Sequence, residues 1–349
     1  MMHKRWKRHA LLAAVLVLPV VTAGCSLFSK QTSQPIDPPQ VEMTDGEGSE
    51  PTGLADPTGE SATITVYLQD GNGYLAPVAV PVTLGEGEKP GKRALEMMVE
   101  GGSYSSVLPA DFRAMIPQGT RVLSYDIDEP QKLAKVNFSG EFAQYNEMDE
   151  RAMLEAITWT LTATGVKGVE LYLDGERLTE MPLAGYPMDA ALTRAMGINV
   201  ETADGVEVTN SSPVTLYFSA QTMNDEQYYV PVTRLVSRSD SPALAAMEEL
   251  IAGPLNQKAL SSVILPNVEV AGIEEKEGVL TVDLQDEAYE PGVQVPAEML
   301  EAVVLSLTES TSASEVQISL NGHTDILADN NKAYNEPVGR PHHVNAFES

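Results

Sequence analysis

The phrase MLEA stands at residues 153–156 and again at 299–302, and each time it opens an apolar run that leads to a strand and a tight turn. A phrase repeated together with its surroundings constrains a fold strongly, because both copies must bury the same faces in the same order. Laid on itself, the chain pairs Ile64, Val66 and Leu68 with Val214, Leu216 and Phe218, sets that alternate with the period of a half-buried strand. YLAPVAVPV from Tyr74 matches YYVPVTRLV from Tyr228 as a second strand. ALEMMVEGG and AAMEELIAGP follow, with Leu95, Met98 and Val99, or Met247, Leu250 and Ile251, on one helical face. Gly101 and Gly253 are expected to stop these helices, and Ser241 before Pro242 reads as a capped start.

MIPQGTRVLSYDID and ILPNVEVAGIEE then lead into Ala134, Val136 and Phe138, or Leu280, Val282 and Leu284, as strand pairs with one apolar face. The MLEA helices carry matching stripes, Met153, Ala156, Ile157, Thr160 and Leu161 against Met299, Ala302, Val303, Ser306 and Leu307. Each returns to a last strand, Val169, Leu171 and Leu173 or Val316, Ile318 and Leu320. Asp174-Gly175 and Asn321-Gly322 follow, dipeptides suited to type I′ hairpin turns. The order β-β-α-β-β-α-β per copy predicts an α+β protein of two tandem repeats, each a mixed sheet with its helices on one face and the other face partly open.

At 349 residues the chain exceeds the roughly 100–200 of an ordinary single domain, which agrees with duplication. The expected organisation is a signal peptide at 1–24, a lipidated cysteine and flexible acidic tether at 25–60, and a first folded domain at 61–181. An interdomain segment at 182–211, a second domain at 212–327 and a polar C-terminal tail at 328–349 complete it.

The leader reading rests on Lys4, Arg5, Lys7 and Arg8, an apolar stretch from Ala10 to Val21, and small residues before Cys25. That stretch is too short to span the roughly 30 Å of a bilayer core as a stable helix. Cys25 is the only cysteine, and Thr22, Ala23 and Gly24 before it resemble the lipobox of bacterial lipoproteins, with Thr22 where leucine is usual. The resemblance makes Cys25 the lipidated residue. Two acyl chains of the palmitate kind, at about 0.8 kcal/mol per buried methylene, would hold the mature chain on the extracytoplasmic face of the cell membrane. Residues 26–60, rich in Pro, Gly, Ser, Thr and acids, read as a tether averaging about 30–35 Å end to end.

With 22 basic against 50 acidic residues the formal charge is −28, and such a surface repels nucleic acid. Reactive constellations are sparse. His323 with Asp325 reads as a solvated hairpin, and His342-His343 as a tail pair without the fixed third and fourth ligands of a metal site. Asp126–Glu129, Asp149-Glu150 and Glu274–Glu277 are charged turns that do not match a calcium loop, and no G-x-S-x-G elbow appears. Met97, Met98, Met153, Met247 and Met299 read as core packing. No catalytic residue, metal or cofactor is expected.

The IP and LP steps at 116–117 and 265–266, VNFSGEF at 136–142, TLTATGVKGVELYLDG at 160–175 and GP at 253–254 carry a family likeness. On these residues the chain resembles tandem GerMN-domain lipoproteins of endospore-forming bacteria. The copies differ in places: Gly101-Gly102 stands against Gly253-Pro254, and VDLQDEA against VNFSGEF. The resemblance implies units similar to ring-building motifs, a noncatalytic interaction or assembly role in sporulation or germination, and extracytoplasmic protein partners such as a sporulation ring complex. The partner-binding residues stay unassigned. The alternative is a module binding envelope polysaccharide or peptidoglycan through exposed aromatics, for which Tyr217, Tyr228 and Tyr229 are the candidates.

Overall fold

Each copy begins with a long hairpin. In the computed structural model, which describes residues 60–347, β1 (Glu60–Asp70) pairs antiparallel with β2 (Leu75–Leu84), with Val66 opposite Val78. Asp70 fixes the turn, its Oδ1 accepting the N–H groups of Asn72 and Tyr74 at 2.8 Å each. After α1 (Pro90–Met97), the short β3 (Phe112–Arg113) joins the free end of β1, giving the order β2-β1-β3. Next come β4 (Val122–Asp128), β5 (Leu133–Phe138), α2 (Glu150–Thr162), β6 (Gly168–Leu173) and β7 (Glu176–Arg177). They build a sheet of order β4-β5-β6-β7 in which β5 and β6 are parallel, so the chain must cross over between them, and α2 is that crossover.

The second copy repeats the plan. The short β8 (Glu201–Thr202) lies in the connecting segment, followed by β9 (Ser211–Gln221), β10 (Gln227–Ser237) and α3 (Pro242–Ala252). Then come β11 (Glu269–Lys276), β12 (Val279–Gln285), α4 (Ala297–Ser310), β13 (Glu315–Leu320) and β14 (Val338–Gly339). The sheets are β8-β10-β9 and β11-β12-β13-β14, with β12 and β13 parallel across α4. The α+β class and the duplicated element order are both present. An apolar cluster joins the copies, from Val66 and Trp159 to Phe218 and Leu307.

The strands of each copy form two hydrogen-bonded sheets where one mixed sheet was expected. The MLEA helices lie between them: α2 touches both β1 and β6, and α4 both β9 and β13. Both are accordingly buried almost all round, with Met153 to Leu161 and Ala302 to Leu307 inaccessible without a break. The reason lies in the polar members of the repeated stripe. Thr160 Oγ1 accepts from Tyr67 N at 2.8 Å, and Ser306 Oγ accepts from Tyr217 N at 2.9 Å. Ser310 both accepts from Thr215 N (2.9 Å) and donates to Thr215 O (3.0 Å). Helix hydroxyls thus take the place of a neighbouring strand along β1 and β9, whose buried backbone groups would otherwise go unpaired. A Thr160→Val variant is expected to lose about 1–3 kcal/mol of stability, because Tyr67 N stays buried without its acceptor. Chemical denaturation checks it, and an unchanged midpoint would mean that the hydroxyl is dispensable.

Local signals read from the sequence are present in detail. Asp174 and Gly175 have φ of 48° and 89°, Asn321 and Gly322 52° and 77°, as type I′ turns require. Ser241 caps α3 by accepting from Leu244 N at 3.3 Å, and Gly253 ends that helix at φ 83°. Gly101 does not play the matching part. α1 stops at Met97, because Met98 and Glu100 are drawn into backbone pairing with Ile116 at 2.8 Å. The IP step therefore competes with the last helical turn and wins.

Candidate functional site

The feature that most distinguishes this molecule is the seam between its copies. β8 runs parallel to β10, with Glu201 opposite Arg234 and Thr202 opposite Leu235. In the C-terminal segment Ala346 makes a parallel bridge to Ala79 of β2. Each copy's trailing segment therefore lies along the second strand of the other copy. The step that carries Met153 to Met299 also carries Arg194 to Arg340 and Asn199 to Asn345. The connecting segment and the expected polar tail are thus two copies of one docked element, and the tail reading is corrected. Its polar composition misled because its partners, backbone and side chain alike, lie far along the chain.

Two asparagines close the seam with matching geometry. Asn199 Nδ2 donates to Leu75 O and Pro231 O at 2.7 Å each, while its Oδ1 accepts from Leu75 N at 2.8 Å. Asn345 Nδ2 donates to Tyr229 O and Pro77 O, and its Oδ1 accepts from Tyr229 N, all at 2.8 Å. Both sit at positive φ, 47° and 59°, a conformation asparagine tolerates better than most residues. Pro77 and Pro231 have no N–H to donate, which keeps these strands from pairing directly and leaves their carbonyls to the asparagines. The glutamates of the repeated phrase face the same region. Glu155 accepts from Asn199 N at 3.0 Å and from Arg151 Nε at 2.7 Å, and Glu301 accepts from the Tyr229 hydroxyl at 3.2 Å. Burial raises the Glu155 carboxyl above its usual range in spite of Arg151.

An ionic cluster fills the middle of the seam. Glu309 accepts from Arg194 Nη1 at 2.7 and 2.9 Å and lies 3.2 Å from Arg340 Nη2. Arg194 stacks over Trp159 (4.2 Å to the ring centroid) and bonds Thr162 Oγ1 at 2.8 Å, while Arg340 lies over Tyr217 (5.0 Å) and donates to its hydroxyl. Burial pushes the phenols of Tyr67 and Tyr217 up, so both are neutral at physiological pH. Gly197 sits against this cluster at φ 79°, its carbonyl accepting from Trp159 Nε1 at 2.9 Å. A Cβ there would come within 2.7 Å of Val200 and 3.2 Å of Thr233, so only glycine fits. Nearby, the fully buried Arg234 is held by Glu201 (2.7 Å), Glu249 (2.8 Å) and Gly253 O (2.9 Å).

Cys25 with Thr22, Ala23 and Gly24 lies outside the described residues. His323 and Asp325 are exposed beside the Asn321-Gly322 turn, and His342 and His343 are exposed in the trailing segment, His343 reaching Thr65 at 3.4 Å. Among the described residues no three His, Cys, Asp or Glu side chains gather as a metal site would require. Of the acidic turns, Asp126 pairs with Lys89 (3.2 Å), Asp128 with Lys135 (3.5 Å) and Asp149 with Arg113 (3.3 Å), while Glu274–Glu277 is exposed on β11 and its connection to β12. The methionines Met97, Met98, Met153, Met247 and Met299 are fully buried. The aromatic platform offered for a sugar ligand is not there. Tyr217 and Tyr228 are buried, Tyr228 donating to Asp70 at 2.8 Å across the seam, and Tyr229 is half-buried and engaged with Glu301.

Glu150 is a buried anion held by donors of the chain's own backbone. Its carboxylate accepts from Ala184 N (2.9 Å), Tyr186 N (3.0 Å), Leu183 N (3.3 Å) and the Tyr145 hydroxyl (2.5 Å). Burial opposes its charge, but these donors outweigh that and hold its carboxyl below the usual value. A lowered folded value stabilises above the unfolded one, and that contribution is lost as pH falls through the folded value. Glu150→Gln is expected to cost about 1–3 kcal/mol at neutral pH and to flatten the fall of the unfolding midpoint below pH ~4.5. Denaturation curves from pH 7 to 3 measure both effects, and an acid profile identical to the parent's would contradict the assignment.

Fold and seam together define a class: tandem-domain proteins in which a duplicated α+β unit is closed by exchange of its trailing segments. The chain belongs to the Germane family of sporulation and spore germination, whose model matches residues 65–179 and 215–325. It is 33% identical to the spore germination protein GerM of Bacillus subtilis over 95% of this chain and 96% of that one. The solved tandem GerMN domains of the same B. subtilis protein superpose with a TM-score of 0.76 at 33% identity, covering 83% of this chain and 100% of that one. Among the described residues no helix is long and apolar enough to cross a membrane.

Proposed function

We propose that this chain is a noncatalytic assembly module of spore formation or germination, tethered by lipid on Cys25 to the extracytoplasmic face of the cell membrane. The seam is the observation that carries the reading. Trailing segments exchanged between copies make two domains into one body, which offers neighbours a fixed spacing of two similar surfaces. Such a body suits a protein that holds others in register, including a sporulation ring complex. The near full-length similarity to a spore germination protein supports the pathway, and the small residues before the sole cysteine support the anchor.

The test is made in sporulating cells expressing the full chain or its Cys25→Ala variant. The parent is expected in the membrane fraction, cross-linked to other envelope proteins, while the variant is released and its partners lost. Retention of Cys25→Ala at the membrane would remove the anchor. Normal spores from a deletion strain, with no partner recovered by cross-linking, would remove the assembly role.

A further inference from the structure

The pseudo-symmetry of the seam is broken at one place, where one copy has a carboxylate and the other a methyl group. The step that relates Arg194 to Arg340 relates Thr162 to Thr308 and Ala163 to Glu309. The second copy supplies a carboxylate to both guanidinium groups, whereas the first copy ends in a methyl group at the matching position. Two cations thus share one anion. Ala163 does not close over the gap: it lines a cavity of about 440 Å³ together with Thr65, Arg194, Thr308, Glu309 and Arg340. The side chains of Arg194 and Arg340 remain 27% and 28% exposed toward it, enough for a ligand to reach them.

Donor capacity remains as well. Each guanidinium has five N–H groups. Arg340 spends Nη1 on Leu305 O and Thr308 Oγ1 and Nη2 on Tyr217 and Glu309, leaving Nε without an acceptor among the described residues. Arg194 directs Nη2 only to Trp159 O at 3.5 Å. The cleft is therefore electropositive in a chain of formal charge −28, and the low dielectric of a half-enclosed site strengthens its pull on an anion.

We propose that the seam binds an oxyanion, the carboxylate or phosphate group of a small molecule or polymer end, between Arg194 and Arg340 at the place of the carboxylate absent from position 163. Planar guanidinium groups recognise both kinds of group through paired N–H donors. Thr65, Thr162 and Thr308 line the same cavity, with the Thr162 and Thr308 hydroxyls donating to Thr158 O and Val304 O of their own helices, so the guanidinium groups are the donors the site offers. The site lies where the two copies meet, so occupancy would strengthen the seam. The inference is independent of the assembly role.

The experiment uses the full chain in mild detergent, with chloride balancing ionic strength. Thermal unfolding is followed against inorganic phosphate in one arm and citrate in the other. A saturable rise of about 5 °C at a hundredfold excess over Kd is expected in at least one arm. The arm with the lower Kd identifies the preferred group. Ala163→Glu supplies the missing carboxylate in place, so it is expected to unfold at a higher temperature without added anion and to lose the response. Should Ala163→Glu fold poorly, Glu309→Gln tests the same point, since removal of the competing carboxylate should tighten anion binding at least threefold. Line broadening of the phosphorus-31 signal by the parent protein gives a reading without any variant. The proposal is overturned if neither anion exceeds chloride, or if Ala163→Glu keeps the full response.

Discussion

Ending the chain after Pro337 is expected to lower its stability by about 5 kcal/mol or more, the sum of one buried aliphatic side chain, a half-buried aromatic and several part-buried hydrogen bonds. The truncation removes β14, Arg340 with its bonds to Leu305 and Tyr217, the buried Val344, and Asn345 with its three bonds to Pro77 and Tyr229. It also removes Phe347, whose ring lies 5.3 Å from Phe112 and 6.1 Å from Tyr228. The loss falls on both copies, because the tail lies along the first copy's β2 while belonging to the second. Urea denaturation with limited proteolysis measures it. A tail that merely trailed in solvent would leave the midpoint within about 0.5 kcal/mol of the parent, and that outcome would refute the docked geometry. Asn345→Ala alone should show part of the effect, since it removes the acceptor of Tyr229 N and the donor to the Pro77 carbonyl, both part-buried.

Trp159→Ala is expected to cost about 3–5 kcal/mol, the range for emptying a large aromatic site in a core. The ring is buried, lies 5.6 Å from Tyr67, supports Arg194 at 4.2 Å and bonds Gly197 O. Removing it opens a cavity beneath the ionic cluster as well as in the first copy's core. Trp159→Leu should be distinctly milder, because Leu305 occupies the matching position in α4 and is fully buried there. Circular dichroism is the suitable probe, since Trp159 is one of only two tryptophans and the other, Trp6, lies outside the described residues. Equal losses for both substitutions would show that the site depends on the indole N–H and the ring face over Arg194 instead of on volume.

Much of this fold could be read before the structure. Strand alternation, the stripe of each MLEA helix, the Ser241 cap and the Asp174-Gly175 and Asn321-Gly322 turns depend on neighbours a few residues away, so a linear text records them. Thr160 and Ser306 were visible as polar members of an otherwise apolar stripe, yet their task was hidden. A hydroxyl in a buried helix announces that some partner exists without saying that it is the backbone of β1 or β9. Glu150 misled similarly, read with Asp149 as a charged turn although it is buried against backbone N–H groups of a later segment, and Glu155 is buried in the same way against Asn199 N.

The seam lay beyond local reading altogether. Arg194 and Asn199 stand in a stretch legible only as an interdomain segment, Arg340 and Asn345 in one legible only as a polar tail, and their partners are separated from them by whole elements. The sequence by itself determined what each copy is: its element order, its turns, and the faces it must bury, because those follow from spacing along one chain. Only the tertiary structure decided that each copy finishes on the other and that Arg194 and Arg340 converge on the single carboxylate of Glu309. It also decided that Tyr217 and Tyr228 are buried. Such outcomes depend on which edges and surfaces remain open once the copies have folded, and that is a property of the assembled shape.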